Sequence, residues 1–326
     1  MCGRRRYSTS VIVCVLALLC AWDSCPAKAQ TYPTRTITIV VPFPAGGFAD
    51  SFARLLGNRL SERLGWTVVV DNRPGAGGNL GAAAAAKAPA DGHTLLVTTN
   101  ALAINETLTK DRGFAIDDLK AVAIPAWAPE VLIVNAKHPA KTLSEFIASA
   151  KGRPINFGTP GRGTVAHIVT SYLFKQLPDI EAVHVPFQGG APVVTALMGG
   201  HIDLAGGASV GYSAQLQSGA FRAIAIATEQ RHRQFPGVPT YGESGFPGFV
   251  VTNWVGVFVP GKTAEPIAVT LNEAIDAMLR EPEVQTRLEA LQMEPRYGDH
   301  AGAQAFFKQE LEKWAGMVRA IGIAEK

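Results

Sequence analysis

Short strand-like runs alternate with helical patterns along nearly the whole chain, as is typical of α/β proteins. β-Branched residues predict a first strand at 36–41. After it, phenylalanine and leucine recur at helical spacing up to Gly65. Further strands are predicted at 67–70 and 94–98, on either side of a small-residue helix at 78–88. This order predicts a parallel, doubly wound half-sheet flanked by helices.

A second series of alternating elements begins near Val131. Thr142 and Glu145 have the spacing of a capping box ahead of a short helix, and apolar residues after Val165 share one face of another helix. Proline and glycine then concentrate at 236–248, which predicts a long connection. The strands of this series are predicted at 155–157, 182–185, 202–205, 221–228 and 250–259. The tail is predicted to be helical around 267–279 and 300–320.

The N-terminus has the pattern of a secretory signal peptide. Three arginines precede the apolar stretch 11–22, and Ala27 and Ala29 are the small residues of a cleavage site. The apolar stretch is too short to span a bilayer comfortably. A lipid anchor is the alternative because cysteines are close, but the leucine before Cys20 does not fit a lipidation signal. We therefore expect cleavage after Ala29, removal of residues 1–29 and export to the periplasm.

Removing that segment changes the composition. The segment contains all four cysteines, so neither disulfides nor thiolate metal sites are expected in the remaining chain. It also carries as much positive charge as the whole sequence, whose net charge is +3, which leaves the rest formally neutral. Nucleic-acid binding thereby loses its electrostatic basis. With 47% hydrophobic and 17% charged residues, the chain is typical of a well-buried globular protein large enough for two lobes.

Three glycine-rich turns each connect a predicted strand to a predicted helix, at 44–47, 158–164 and 189–191. Unpaired backbone N–H groups at a helix start, together with the helix dipole, bind anions such as carboxylates. Glycine also lets a ligand approach the backbone closely. Tight turns in α/β proteins need glycine without any ligand, so each turn alone fits either role. Their occurrence in both series favours a cleft with donors on both sides.

Other chemistries have weaker support. The segment 75–81 resembles a dinucleotide fingerprint, but Leu80 stands where the third glycine belongs, and the chain has no P-loop triplet. The sequence around Ser209 matches a nucleophile elbow, with Asp276 and His300 following as an acid and a base. Among 33 glycines a chance match to this short pattern is expected. We therefore expect a binding protein, with a hydrolase that uses Ser209 as the less favoured alternative.

The seven histidines are scattered and include no metal-ligand pair at helical spacing. We therefore expect no metal and no cofactor. His167, one turn into the helix after the second glycine-rich turn, is either a packing residue or a ligand contact. Arg162 in the same turn is either a solvated loop charge or a clamp for a carboxylate.

Several ordered segments resemble the Bug-type solute receptors of tripartite tricarboxylate transporters. The resemblance extends over the whole chain after the signal segment, and Trp254 and Trp314 also have familiar neighbours. The matching segments are 39–47 with Asp50, 72–78, 88–96, 184–190 and 238–240.

This resemblance implies a periplasmic-binding-protein fold, in which two α/β lobes joined by crossing strands close on a ligand. It implies that lobe 1 comprises residues 30–129 and 251–326 and that lobe 2 comprises residues 130–250. It further implies a monomer that captures a small carboxylate and passes it to integral-membrane transporter subunits. A periplasmic sensor whose closed lobe contacts a kinase is the alternative.

The family holds a ligand carboxylate with backbone amides, hydroxyls and water from the loops that open each lobe. Carried over to this sequence, those loops are 43–50 and 159–167. The family often has serine where Thr159 stands and tyrosine where Phe187 stands, so we expect a slightly more apolar pocket. The residues expected to bind ligand are Phe43, Ala45, Gly46, Gly47, Asp50, Asn100, Thr159, Arg162, Gly163, Thr164, His167, Phe187, Gly189 and Ala208.

Overall fold

The computed structural model of the protein describes residues 32–324, and the chain forms one compact unit from Arg35 onward. The predicted signal peptide and its cleavage site after Ala29 lie outside the described residues. Across residues 32–324, no helix combines the length and the apolar character that crossing a membrane requires.

Within residues 32–324 the chain forms ten strands and ten helices, most of them in alternation. The strands are β1 (Ile37–Val41), β2 (Val68–Asn72), β3 (Thr94–Thr99), β4 (Leu119–Asn135), β5 (Ile155–Thr159), β6 (Ala182–Pro186), β7 (Leu204–Ala208), β8 (Phe221–Ile226), β9 (Thr252–Pro260) and β10 (Glu294–Pro295). The helices are α1 (Phe48–Leu64), α2 (Asn79–Ala86), α3 (Ala101–Leu108), α4 (Leu143–Ala150), α5 (Val165–Lys175), α6 (Gly190–Met198), α7 (Ser213–Gln217), α8 (Glu265–Leu279), α9 (Pro282–Ala290) and α10 (His300–Ile321).

The strands are hydrogen-bonded in the order β2-β1-β3-β9-β4-β7-β5-β6, and the long strand β4 divides this order into two sheets. Residues 119–129 of β4 pair with β9 in the first sheet, which β1, β2 and β3 complete. From Glu130 onward β4 pairs with β7 and β8 in the second sheet, which also contains β5 and β6. The strands β1, β2 and β3 are mutually parallel, as are β5, β6 and β7. Their carboxyl ends are where open α/β sheets bind ligands.

Helix α10 joins the two sheets from outside. The Glu310 carboxylate accepts hydrogen bonds from the indole N–H of Trp254 on β9 and of Trp314 on α10, each at 2.7 Å. Both indoles are fully buried, so these bonds satisfy the polar atoms of the two largest core side chains. Lys175 at the end of α5 donates to the last carbonyls of α10, and its Nζ lies 2.8 Å from Ala320 O. α10 therefore contacts elements of both sheets.

Most predicted elements are present, within a few residues of their predicted ends. The largest difference is β4, because the second series was predicted to begin near Val131 and the strand already begins at Leu119. Pro125 and Pro129 argue against a central strand in the sequence. The structure accommodates Pro125 with register shifts between Ala121 and 126, where the pairing with β9 is irregular.

The sequence patterns also missed three helices, α3, α7 and α9. The helix predicted after the third glycine-rich turn, α6, is present. α6 contains glycine, proline and two valines, which have low helix propensity. It is stabilised instead by packing, since Val193 and Leu197 are buried on its inner face. The predicted capping box of α4 is formed in part. Thr142 caps Glu145 N–H, but the Glu145 carboxylate accepts from Lys141 rather than from Thr142. The lobe boundaries stay a prediction.

Candidate functional site

The three glycine-rich turns meet at the carboxyl ends of the strands. The first connects β1 to α1, the second connects β5 to α5 and the third connects β6 to α6. A Cβ built on Gly189 in the third turn would lie 3.2 Å from Pro44 Cγ in the first turn. The turns of the two sheets are therefore in van der Waals contact, and they enclose space between them.

A cavity of about 110 Å³ lies between these turns. Its walls contain the first residues of three helices, which are Phe48 of α1, Val165 of α5 and Gly190 of α6. The first N–H groups of a helix have no acceptor within the helix. The three helices therefore direct unpaired donors and the positive ends of three dipoles at one small volume. Further wall residues are Phe43, Pro44, Ala45, Gly47, Thr99, Pro160, Thr164, Gln188, Gly189, Ala208, Tyr212 and Asn253.

The first turn is held by the buried carboxylate of Asp50, on the first turn of α1. It accepts hydrogen bonds from Gly46 N–H at 2.8 Å, from Asn72 Nδ2 at 2.9 Å and from Arg54 Nε at 3.0 Å. Burial alone raises the pKa of Asp50, but the hydrogen bonds from Arg54, Gly46 and Asn72 outweigh it and keep this pKa below its usual value. Asn72 also donates to Phe43 O at 3.0 Å. Asp50 thus holds the turn through these hydrogen bonds and does not itself line the cavity.

The second turn rests on two stacked histidines. The rings of His167 and His184 lie 4.2 Å apart, and Gly163 N–H donates to His167 Nδ1 at 3.3 Å. Thr159 Oγ1 lies 2.7 Å from His184 Nε2. Burial, then the neighbouring His184 and the Arg162 cation, lower the pKa of His167 to about 3. Burial and Arg162 lower the pKa of His184 to about 4. Both rings are therefore neutral near pH 7, and they support the turn without adding charge.

A second cavity of about 330 Å³ adjoins the first. Phe43, Pro44, Thr164 and Gly189 line both cavities, so one wall is shared. Its other walls carry more polar groups than the first cavity. These are Asn79, Asn105, Thr109, Asp111 and Arg162, with Phe187 beside them.

The structure sorts the fourteen residues that the sequence placed in the site into three groups. Six line the first cavity: Phe43, Ala45, Gly47, Thr164, Gly189 and Ala208. Two line the second cavity alone: Arg162 and Phe187. Six line neither cavity: Gly46, Asp50, Asn100, Thr159, Gly163 and His167. The last group holds the turns in place, as the contacts of Asp50, Thr159 and His167 show. Asn100 accepts from Trp254 N–H at 2.8 Å and ties α3 to β9.

Sequence reasoning did not single out several residues at the cavity. Gln188 falls inside the matching segment 184–190, and Asn253 falls inside a predicted strand, but neither residue type signals a site by itself. Behind Asn253 lies Glu130, whose carboxylate accepts from Asn253 Nδ2 at 2.8 Å. Tyr212, whose hydroxyl donates to Gly206 O at 2.8 Å, forms part of the floor.

The predicted hydrolase alternative is not assembled. Ser209 is fully buried, and its Oγ has no hydrogen-bond partner among residues 32–324. The Asp276 carboxylate binds Arg280 at 2.8 Å. The His300 ring lies against Gln304 on its own helix and against Glu265. The acid and the base therefore bind other groups, and neither is bonded to Ser209. Within the described residues, no cluster of three histidine, cysteine or acidic side chains is placed to bind a metal ion.

Comparison with known proteins agrees with this geometry. The family described as the tripartite tricarboxylate transporter family receptor matches residues 52–323. The solved periplasmic binding protein BugD is 29% identical, with a TM-score of 0.83 over 90% of this chain and 100% of its own.

Two further similar structures contain ligands. The R. palustris protein Rpa4515, solved with adipate, is 32% identical, with a TM-score of 0.85 over 90% of this chain and 99% of its own. MatC from Rhodopseudomonas palustris, solved with bound malate, is 32% identical, with a TM-score of 0.81 over 88% of this chain and 100% of its own. These similarities confirm the predicted two-lobed α/β fold and the predicted class of solute-binding protein.

Proposed function

Because the chain belongs to the tripartite tricarboxylate transporter receptor family, whose members are periplasmic solute-binding proteins and not enzymes, we propose that it captures a small carboxylate in the periplasm. It then delivers this ligand to integral-membrane subunits of a secondary transporter. The description of the family supports a transport role, and the predicted signal peptide supports a periplasmic location.

The convergence of three helix N-termini on one cavity carries this proposal. A carboxylate placed there accepts hydrogen bonds from backbone N–H groups of α1, α5 and α6 and neutralises the positive ends of their dipoles. Most of the remaining wall is apolar, since Phe43, Pro44, Phe48 and Pro160 surround the donors. Such a low-dielectric wall strengthens each charge-assisted hydrogen bond.

The second cavity extends the proposal to a dicarboxylate. Thr164 and Gly189 border both cavities. A ligand that holds one carboxylate at the helix N-termini therefore extends past these two residues into the second cavity. Its second carboxylate then meets Arg162, whose planar guanidinium suits bidentate pairing. Adipate and malate, the ligands of the two similar structures, are both dicarboxylates.

Carboxylates are expected to stabilise the purified chain that lacks residues 1–29. A ligand that binds only the native state raises the free energy of unfolding by about 2.7 kcal/mol at ~100 times its Kd. Thermal unfolding with a series of dicarboxylates of increasing chain length, up to adipate, identifies the preferred length. Diamines of the same lengths are the control, because the helix N-termini repel cations. Equal stabilisation by diamines, or none by any carboxylate, contradicts the proposal.

Replacing Arg162 with alanine is expected to weaken a dicarboxylate much more than the monocarboxylate of the same chain length. The lost charge-assisted bond is worth about 1.5–3 kcal/mol, or roughly one to two decades in Kd. The control is Arg153→Ala, which removes an exposed arginine whose partner is Asp203, at 2.8 Å. Calorimetric titration of both variants with the ligand pair measures the difference. If the two ligands lose the same affinity, Arg162 is a solvated loop charge and does not bind the second carboxylate.

A further inference from the structure

Glu130 occupies the point where β4 passes from one sheet to the other. Residues up to Pro129 pair with β9 in the first sheet, and Glu130 is the first residue that pairs with β7 in the second. Its side chain is 1% exposed. A carboxyl group at this depth needs either a cationic partner or a bound proton, because burial of an unpaired charge is costly.

The partners of this carboxyl group are neutral, and they form the wall of the first cavity. Asn253 Nδ2 donates to it from β9 at 2.8 Å, and the Gly207 N–H donates to it from β7. Both Asn253 and Gly207 line the cavity. Glu130 is thus separated from the proposed carboxylate position by a single layer of residues. It also links one strand of each sheet directly behind that position.

The groups around Glu130 supply no positive charge. Asn253 is the facing side chain from β9, and from β7 the neighbours Gly206, Gly207 and Ala208 have no titratable side chain. Tyr212 belongs to the turn after β7, and Tyr241 belongs to the long connection after β8. Both lie close enough to Glu130 for its charge to affect their pKa values. Burial, and to a lesser extent Glu130, raise the pKa of both tyrosines, so they stay protonated in neutral and mildly alkaline solution.

Other charged groups of the region are separated from Glu130. The Glu310 carboxylate is bonded to Trp254, which follows Asn253 on β9 and therefore points to the opposite face of the sheet. From α5, Ala166 and Thr170 are the residues that approach Gly206 beside Glu130, and neither titrates. Burial, opposed only in part by the hydrogen bonds from Asn253 and Gly207, raises the pKa of Glu130 to about 8.

We propose that Glu130 couples ligand capture to proton uptake, so that the receptor binds its carboxylate ligand only while Glu130 is neutral. This inference rests on the proposed function, because the ligand must be an anion in the first cavity. An ionised Glu130 behind Asn253 repels that anion through a wall of low dielectric constant. In the coupled step a proton from solvent bonds to a carboxylate oxygen of Glu130, and no other covalent bond changes. Glu130 is therefore a positioning and specificity residue, which does not touch the ligand itself.

The sign of the pH dependence follows from linkage. Below about pH 7 Glu130 is protonated before ligand arrives, so affinity is independent of pH there. As pH rises past 8, the free receptor ionises, and binding must restore the proton. At about pH 9 the Kd is then about tenfold higher than at about pH 6, and capture takes up close to one proton per ligand. His167 and His184 are neutral throughout this range.

The test compares the wild-type chain with Glu130→Gln, using the dicarboxylate that gives the largest thermal stabilisation. Glutamine keeps an acceptor for Asn253 or Gly207 but carries no charge at any pH. We expect a Kd within about twofold at about pH 6 and about pH 9 for Glu130→Gln, against the tenfold rise of the wild type. Calorimetry of the wild type at about pH 9, in two buffers of different ionisation enthalpy, counts the protons taken up without any variant.

The outcomes separate this inference from the function on which it rests. Ligand binding by the wild type with no proton uptake at the higher pH overturns the role of Glu130 and leaves carboxylate capture standing. An equal rise in Kd for the wild type and Glu130→Gln assigns the pH dependence to another group and also overturns the inference. The absence of binding by any carboxylate at either pH overturns the proposed function and the inference with it.

Discussion

Gly163→Ala is expected to lower the affinity for the carboxylate ligand by about ten- to a hundredfold while leaving the unliganded fold nearly as stable as that of a control glycine variant. Gly163 belongs to the turn between β5 and α5, and it lies against Asn105 of α3 on the side of the first sheet. A Cβ at Gly163 would lie 2.1 Å from Asn105 Oδ1 and 3.0 Å from Asn105 Cγ. Asn105 cannot easily retreat, because it is 3% exposed and its Nδ2 donates to Gly77 O at 3.0 Å.

The clash exists only while the turns of the two sheets are together. We expect opening of the lobes to separate Gly163 from Asn105, so that the clash of the added methyl group destabilises only the closed, ligand-binding state. The φ of Gly163 is +78°, which adds backbone strain in every state. Gly152→Ala is the matched control, since Gly152 has a φ of +76° and no atom within 4 Å of its Cβ position.

Calorimetric titration measures the ligand affinity of both variants, and urea unfolding measures the stability of their unliganded folds. Small-angle scattering adds a direct readout, because ligand should compact the wild type and the Gly152→Ala variant but not the Gly163→Ala variant. If Gly163→Ala binds ligand as tightly as Gly152→Ala does, the contact with Asn105 is not part of closure.

The glycine-rich turns could be predicted from the sequence because their requirements are local. A strand, a turn with φ near the left-handed region and a helix start leave a readable pattern, and the structure places all three turns at one cavity. The alternation of strands and helices was predictable for the same reason. The third turn predicted the start of α6, but the burial of Val193 and Leu197 that stabilises this helix is not shown by any local pattern.

Which residues line the cavity and which only support its turns could not be predicted from the sequence. Thr159 and Thr164 belong to the same turn and have the same side chain, but the Thr159 hydroxyl is bonded to His184 while Thr164 lines the cavity. That difference depends on where His184 of β6 lies, which is a tertiary fact. Glu130 and Asn253 are 123 residues apart in sequence, and only the pairing of β4 with β9 brings them together. Glu130 lies just before the predicted start of the second series near Val131, so no predicted strand marked it as a buried charge.

Acidification is expected to destabilise the wild type relative to a His167→Gln variant. The folded state lowers the pKa of His167 from 6.5 to about 3, because burial, His184 and Arg162 all oppose a charged ring. The unfolded chain binds a proton on this ring below 6.5 and the folded chain does not, so the stability contribution falls as pH falls from 6.5 towards 3. At about pH 4.5 this ring alone lowers the free energy of unfolding by on the order of 2–3 kcal/mol.

Two nearby groups also change the stability of the fold with pH, but they do not change the difference between the wild type and His167→Gln. His184, whose pKa falls to about 4, adds destabilisation in the same direction. Glu130 acts in the opposite direction, because a folded pKa raised from 4.5 to about 8 costs stability as pH rises through that window. Both groups are present in the wild type and in the variant, so the difference between the two curves isolates His167.

Glutamine suits position 167 because it is a favoured residue in the first turn of a helix and its Oε1 can accept from Gly163 N–H as the histidine Nδ1 does. Urea unfolding at about pH 7 and about pH 4.5 measures the free energy of unfolding of both proteins. Between these pH values the wild type should lose about 2–3 kcal/mol relative to His167→Gln, as the lowered pKa of His167 implies. His201→Gln, which replaces an exposed ring, is expected to follow the wild type at both pH values. Parallel curves for His167→Gln and the wild type would show that the fold does not hold this ring neutral, and the second turn would then need another source of support.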